Sequence, residues 1–273
     1  MGVLDEYYTL YNGVKIPKIG YGTWQIPNEV AYDTTLAAFR SGYRHVDSAK
    51  AYGNEKAVGR AVRESGIPRN EIFVTSKLPA QTKGYQETLT AFSQTMSDLG
   101  LDVLDLYLIH APWPWDQIGK DCTQGNIDSW KAMELLYKEG KVRSIGVSNF
   151  SVKDIQALID HCEILPMVNQ IPFYVGHTQK ETMAFCKAKG ILVEAYSPLA
   201  TGGVFDETVI KDIANANGVT VAQLCIAYCI QKGTLPLPKT TKEHRMVENA
   251  KVDFLIKDED LAILDAFDRN LKR

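Results

Sequence analysis

The stretch RHVDSAKAYGNEKAVGRAVRES (44–65) changes character part-way along. Its opening, RHVDS (44–48), is a short β-branched and apolar run of strand length. From Asn54 onward it places Ala57, Val58, Ala61 and Val62 on one face of a helix, with Asn54 available as the cap. The same strand-like character recurs at IGYGT (19–23), IFVTSK (72–77), VLDLYLIH (103–110), VRSIGVS (142–148), MVNQI (167–171), ILVEAYS (191–197) and TLPLPK (234–239). Helical periodicity fills the gaps, around 29–40, 86–99, 128–139, 178–189, 206–217 and 220–231, with a last helix over 258–267. SVKDIQALIDHC (151–162) starts on Ser151 and repeats Val152, Ile155, Leu158 and Ile159 on one side. Eight strand-then-helix units in about 250 residues is the size and rhythm of a (β/α)₈ TIM barrel in the α/β class. An open doubly wound sheet alternates too, so alternation leaves both. GYGTWQ (20–25) has two glycines of the dinucleotide fingerprint and then departs from it. Asn12-Gly13 between two short alternating runs predicts a β-hairpin ahead of the main fold. No linker or low-complexity segment interrupts the rhythm, and one domain over 1–273 is expected.

Bulk properties exclude several function classes. Lys and Arg number 30 against 33 Asp and Glu, a net charge of −3, and there is no basic run to hold nucleic acid. No apolar run approaches the roughly 18 residues of a membrane span, and the start shows no secretory pattern. Five scattered cysteines fit free thiols in a reducing cytoplasm; Cys225 and Cys229, one helical turn apart in an apolar segment, read as core packing. A monomer meets every demand of the sequence.

In a barrel, chemistry gathers where strands end and βα loops begin. Those ends carry Asp47, Lys77, His110, Ser148-Asn149, Asn169-Gln170, Tyr196-Ser197 and Lys239. Turns attract Ser, Asn and Asp for structural reasons, so no single member decides; seven in succession do. A free tyrosine, with a pKa of about 10, exchanges protons poorly at neutral pH. A nearby ammonium favours its phenolate. Asp47 would keep Lys77 charged and oriented, and His110 would hydrogen-bond a substrate oxygen or tune Tyr52. This set suits protonating an oxygen that gains negative charge, as a carbonyl does when hydride reaches its carbon. No metal is needed, and His45, His161, His177 and His244 lack ligand spacing.

GYRHVDSAKAYGNEKAVG (42–59), RSIGVSNF (143–150) and LPKTTKEHRMVEN (237–249) resemble, in order, the three signatures of the aldo-keto reductase superfamily. The resemblance covers essentially the whole chain. It implies reversible hydride transfer between NADPH and a small-molecule aldehyde or ketone, with Tyr52 as general acid and Asp47, Lys77 and His110 as its partners. It implies a cofactor extended across the barrel mouth. Gly22 and Thr23 would approach it through the first βα loop, while Ser148, Asn149 and Gln170 match the residues that hold the nicotinamide amide. Tyr196 matches the ring that stacks on the nicotinamide, and Ser197, Leu199 and Gly202 match the segment near the pyrophosphate. Lys239, Thr240 and Arg245 match the 2′-phosphate pocket. Two cations and a hydroxyl at a helix start also form an anion site on physical grounds. Glu248 and Asn249 match the adenine end. Trp24 and Trp113, with His110, match the substrate pocket, and Trp115 and Phe150 are possible additions to its walls.

Two departures point to the compact microbial branch, similar to 2,5-diketo-gluconate and methylglyoxal reductases. The loop HAPWPWDQIGKDC (110–122) is short, and FDRNLKR (267–273) closes the chain without a long carboxyl-terminal segment. An open pocket for small polar carbonyls is expected. After Asn169-Gln170 the chain reads IPFYVGH (171–177) where the family often has Glu-Tyr-His-Pro, with no catalytic position lost. Two rivals remain: a non-catalytic redox sensor or partner protein that binds the nucleotide, and an aldolase-like barrel with a Schiff base on Lys77.

Overall fold

The computed structural model describes residues 2–267. The final segment Asp268–Arg273, read above as a short carboxyl terminus, lies outside the described residues. The Asn12-Gly13 hairpin forms as expected: β1 (Tyr7–Thr9) and β2 (Lys15–Pro17) pair antiparallel, and Gly13 takes the left-handed conformation of such turns.

Eight parallel strands then follow in sequence order around a nearly closed barrel. They are β3 (Tyr21–Gly22), β4 (His45–Asp47), β5 (Phe73–Leu78), β6 (Leu106–Ile109), β7 (Ile145–Ser148), β8 (Val168–Pro172), β9 (Leu192–Tyr196) and β10 (Leu235–Leu237). Between them run α1 (Asn28–Arg40), α2 (Glu55–Glu64), α3 (Tyr85–Leu99), α4 (Thr123–Lys138), α5 (Val152–Ile159), α6 (Lys180–Ala188), and the consecutive α7 (Thr208–Ala216) and α8 (Val221–Gln231). After β10 come α9 (Glu243–Asn249) and the extra α10 (Asp258–Ala266). The seam between β10 and β3 is held by Gly20 N–H to Pro236 O (3.1 Å) and Gly22 N–H to Pro238 O (3.1 Å). Neither Pro236 of β10 nor Pro238 just past it has an N–H to return, so the seam is one-way at these two positions.

Most strand residues are buried, because helices cover the outer face and facing strands fill the interior. On β5, Val74, Ser76 and Leu78 alternate with Phe73, Thr75 and Lys77, and all six are buried. Helices seat their apolar stripes outside this wall. On α2 the buried face is Ala57, Val58, Ala61 and Val62, with Gly59 among them, where an added Cβ would sit 2.0 Å from the Leu99 carbonyl of α3. Ser151 caps α5, accepting from Asp154 N–H (3.3 Å). Asn54 does not cap α2. It is fully buried, donates to the carbonyls of Thr23 (2.9 Å) and Ile26 (3.0 Å), and accepts from Ser48 Oγ (3.0 Å). It thereby pins two βα loops to the start of α2.

Cys186, Cys225 and Cys229 are buried and all five cysteines are free, in line with core packing. Among the described residues no group of three or more His, Cys, Asp or Glu is placed to hold a metal, and no single helix is long and apolar enough to cross a membrane. A cleft of about 730 Å³, lined by Tyr7, Lys15, Arg44, Glu71 and Arg143 among others, holds none of the polar strand-end groups.

Candidate active site

The strand ends bring Asp47, Lys77 and Tyr52 together. Register sets Asp47 of β4 opposite Thr75 of β5, so Lys77 projects one layer higher. Lys77 Nζ donates to Asp47 Oδ1 (2.7 Å) and Oδ2 (2.8 Å), to the Ser48 carbonyl (2.9 Å) and to Tyr52 OH (3.1 Å). Burial alone would lower the pKa of this ammonium, but the Asp47 carboxylate and Tyr52 hold it well above the usual lysine value. An amine so held is not free to attack a carbonyl, which disfavours the Schiff-base rival.

Tyr52 ends a 3₁₀ turn, Lys50–Tyr52, that returns over the rim. Lys50 ties the turn to α3 by an ion pair with Asp98. Glu55, in the first turn of α2, is buried and accepts from Ser76 Oγ at 2.5 Å. Because Ser76 precedes Lys77, this bond ties the arm carrying Tyr52 to the strand carrying its partner. Tyr52 is raised above the ordinary tyrosine pKa: burial outweighs the nearby Lys77 ammonium, and Asp47 adds to the rise. The ammonium therefore limits the rise instead of producing a net fall.

His110 packs edge-on against Tyr52, ring centroids 5.6 Å apart, and edge-on against Trp115 at 5.4 Å. Burial pushes its pKa down to about 3, aided by the Lys77 and Lys83 ammoniums, so the ring is neutral at neutral pH. The three carbonyls starting here are each held from a different part of the fold. That of His110 accepts from Asn149 Nδ2 (3.0 Å), that of Ala111 from Lys83 Nζ (2.8 Å), and that of Pro112 from Asn126 Nδ2 (2.8 Å). Lys83 and Asn126 carried no sequence signal beyond their polarity.

The residues matched to the nicotinamide end are knitted together. Asn149 Nδ2 also donates to Ser148 Oγ (3.0 Å), Ser148 Oγ donates to the Gln170 carbonyl (2.9 Å), and Tyr196 OH donates to Asn149 Oδ1 (2.8 Å). Gln170 Nε2 donates to Asp47 Oδ1 (2.9 Å) and Glu194 Oε2 (2.7 Å), which leaves its Oε1 as the remaining side-chain polar atom. Thr23 is buried and its hydroxyl is engaged by the Asp47 carbonyl (2.9 Å), so that side chain is a brace. Beside it, Gly22 lets β3 approach β10, where a Cβ would lie 3.1 Å from the Leu237 carbonyl.

Among the described residues, the non-glycine positions with positive φ are Gln25, Asn149, Gln179, Ser197, Ala200 and Thr201. All six lie in βα loops, where backbone strain often accompanies function. Ser197, Leu199 and Gly202 shape one tight segment: Ser197 O accepts from Ala200 N–H (2.8 Å) and Leu199 O from Gly202 N–H (2.8 Å). Past β10, Lys239 and Arg245 are exposed around half-buried Thr240, and neither has an ion-pair partner among the described residues. Glu248 is half-buried and Asn249 buried on α9.

Trp24 (45% exposed) and Trp115 (38%) stand open at the mouth, and Trp113 packs edge-on with Trp115 at 5.2 Å. Phe150 is 1% exposed and belongs to the core, not to a pocket wall. The sequence signal for Glu194 is an acid in the middle of the otherwise apolar run ILVEAYS (191–197).

The Aldo/keto reductase family model matches residues 18–269. The chain is 43% identical to the glyoxal reductase of Bacillus subtilis (strain 168) over 269 residues, 98% of this chain and 94% of that protein. It is 38% identical to an aldehyde reductase of Saccharomyces cerevisiae, covering 92% of this chain and 87% of that one. Among solved structures, an aldo/keto reductase from Brucella melitensis superposes with a TM-score of 0.92 at 36% identity, covering 98% and 99% of the two chains. A Bombyx mori aldo-keto reductase in complex with NADP gives 0.89 at 30% identity, covering 96% and 92%. With the three sequence signatures lying on one barrel rim and the family matched over nearly its whole length, the chain belongs to the aldo/keto reductase family of oxidoreductases.

Proposed function

We propose that the protein is an NADPH-dependent reductase of small polar aldehydes and ketones, with Tyr52 as the general acid. It works as a monomeric single-domain enzyme in the cytoplasm. The observation that carries the reading is the Lys77 ammonium, held by both oxygens of Asp47 while it donates to Tyr52 OH at 3.1 Å. A rival role as a non-catalytic partner would need no such arrangement.

The residues present fit a nicotinamide dinucleotide. Gln170 Oε1 is left to accept from a carboxamide, the Ser197–Gly202 turns are strained as ligand-cradling loops often are, and exposed Lys239 and Arg245 flank Thr240. Bound there, the cofactor would supply the hydride. Tyr52 would then release its proton to the substrate oxygen as negative charge develops on it, and Lys77 would stabilise the phenolate left behind. His110, neutral, has one N–H and one lone pair, so it orients the substrate oxygen by a hydrogen bond without competing as an acid. Trp24, Trp113 and Trp115 form an open aromatic rim that suits small substrates, and the glyoxal and aldehyde reductases among the relatives support that class.

The test is Tyr52→Phe. It should bind NADPH with parental affinity and reduce glyoxal or a short aldehyde at least about 10²-fold more slowly. Turnover close to the parent's would remove Tyr52 from its role.

A further inference from the structure

A second buried acid lies beneath the proton-transfer centre. Glu194 sits midway along β9, faces the barrel interior and is 0% exposed. Register pairs it with Gln170 of β8, and the Gln170 amide nitrogen bridges Glu194 Oε2 (2.7 Å) and Asp47 Oδ1 (2.9 Å). Glu194 Oε1 has no hydrogen-bond partner among the described residues, nor does His45 Nδ1. The other ring nitrogen of His45 lies 3.9 Å from Glu194 Oε1 and 3.0 Å from Thr75 Oγ1.

The charged and titratable groups around Glu194 are few. Asp47 and His45 come from β4, Lys77 from β5, and Tyr52 from the turn above; β8 gives neutral Gln170, and β10 offers only Leu235, Pro236 and Leu237. Among the described residues Lys77 is the one cation acting on it, and Asp47 already holds that cation through both oxygens. A carboxylate at Glu194 would put two anions against one ammonium where water does not reach, with one oxygen unsolvated. Burial first, and Asp47 second, push Glu194 up to about 8, while burial pushes His45 down to about 3.

We infer that Glu194 is a positioning residue for proton transfer: through Gln170 it fixes the active-site amide, and while protonated it leaves Lys77 balanced by Asp47 alone. The inference rests on Tyr52 being the proton donor. Two effects follow from the geometry. Both Gln170 amide hydrogens are engaged, so the side chain does not flip and Oε1 stays the ligand-facing acceptor. Ionised Glu194 opposes the Tyr52 phenolate, so Tyr52 keeps its proton to higher pH than it would beside a permanently neutral neighbour.

The experiment compares the parent with Glu194→Gln and Glu194→Asp. Glutamine keeps an acceptor for Gln170 but never gains charge. The basic limb of the aldehyde-reduction profile, where Tyr52 loses its proton, should therefore move down by about one pH unit in Glu194→Gln. Glu194→Asp should restore the parental limb. Infrared difference spectra of the cofactor-free protein give a readout independent of turnover. A protonated-carboxyl band should vanish as pH rises through about 8 in the parent and be missing from Glu194→Gln. The buried carboxyl of Glu55 stays in both and cancels in the comparison. Superimposable limbs in the parent and Glu194→Gln, with Tyr52→Phe inactive, overturn the role of Glu194 and leave Tyr52 standing. Parental turnover in Tyr52→Phe overturns both. Should the glutamine variant not fold, the band decides, assigned by its shift in Glu194→Asp: its presence supports the proposal and its absence overturns it.

Discussion

Replacing Lys77 with methionine separates the two tasks of its ammonium. At 3.1 Å from Tyr52 OH, a unit charge in an effective dielectric of about 20 interacts with the phenolate by 332/(20 × 3.1), or about 5 kcal/mol. With roughly half of the proton moved in the transition state, about 2–3 kcal/mol of that bears on the barrier, a loss of about 10²-fold in kcat. The Asp47 carboxylate, left without its partner, adds repulsion and deepens the loss. It also becomes an uncompensated buried charge, which costs about 3–5 kcal/mol of stability. The assay is the disappearance of reduced nicotinamide absorbance at saturating aldehyde, with calorimetric melting and fluorescence titration of the dinucleotide alongside. Lys77→Met should lose about 10²-fold or more in kcat, hold KM within a few-fold, and melt well below the parent. The double variant Asp47→Asn/Lys77→Met should regain most of the stability and none of the rate, since it removes the stranded charge without restoring the ammonium. A folded Lys77→Met with kcat within about 3-fold of the parent would refute this account of Lys77.

Two further outcomes are expected. Arg245→Ala should weaken NADPH by about 10-fold or more and NADH by less than about 2-fold in direct binding titrations; equal weakening of both would remove the 2′-phosphate reading. His45 and His110 are held at about 3, below an unfolded value of about 6.5, so the unfolded chain takes up protons first as pH falls. Their stabilisation is complete above about pH 6.5 and is lost progressively between about 6.5 and 3. At pH 5 each costs about 2 kcal/mol relative to neutral pH, from about 1.36 kcal/mol per unit over about 1.5 units. Denaturant melts of the parent and His45→Gln at pH 7 and pH 5 measure this, with about half the acid loss expected to disappear in the variant. Identical losses in both would show that His45 is not buried neutral.

The barrel was legible because its strands are short, covered on both faces and separated by helices whose stripes repeat clearly. The rim was legible because polar groups that end seven successive strands have no common structural reason to be there. What sequence does not reveal is which way a side chain points before register is known. Asn54 occupies a helix start and reads as a cap, yet it reaches inward to the carbonyls of Thr23 and Ile26. Glu55 beside it sits at the start of a helix, where an acid suits the macrodipole or a neighbouring loop, yet its partner is Ser76, on a strand whose distance from it is set only by the tertiary fold. Glu194 looks like an interruption in an apolar run. It becomes intelligible only when β8 and β9 align it with Gln170. Phe150 follows a strand end as the rim tryptophans do, and burial alone separates it from them.

The seam where Gly20 and Gly22 meet the carbonyls of Pro236 and Pro238 makes the ring unequal around its circumference. Elsewhere neighbouring strands give and take; there the final strand only receives. The stave closing the cask is thus its least tightly jointed, and it is also the last to leave the ribosome. A nearly finished barrel would hold its other seven staves in register and admit the eighth without dismantling a two-way ladder. Lys239 and Arg245 lie just beyond this joint. A dinucleotide gripping both that segment and the earlier strand ends would then act as a hoop, tightening the wood where the joinery is weakest.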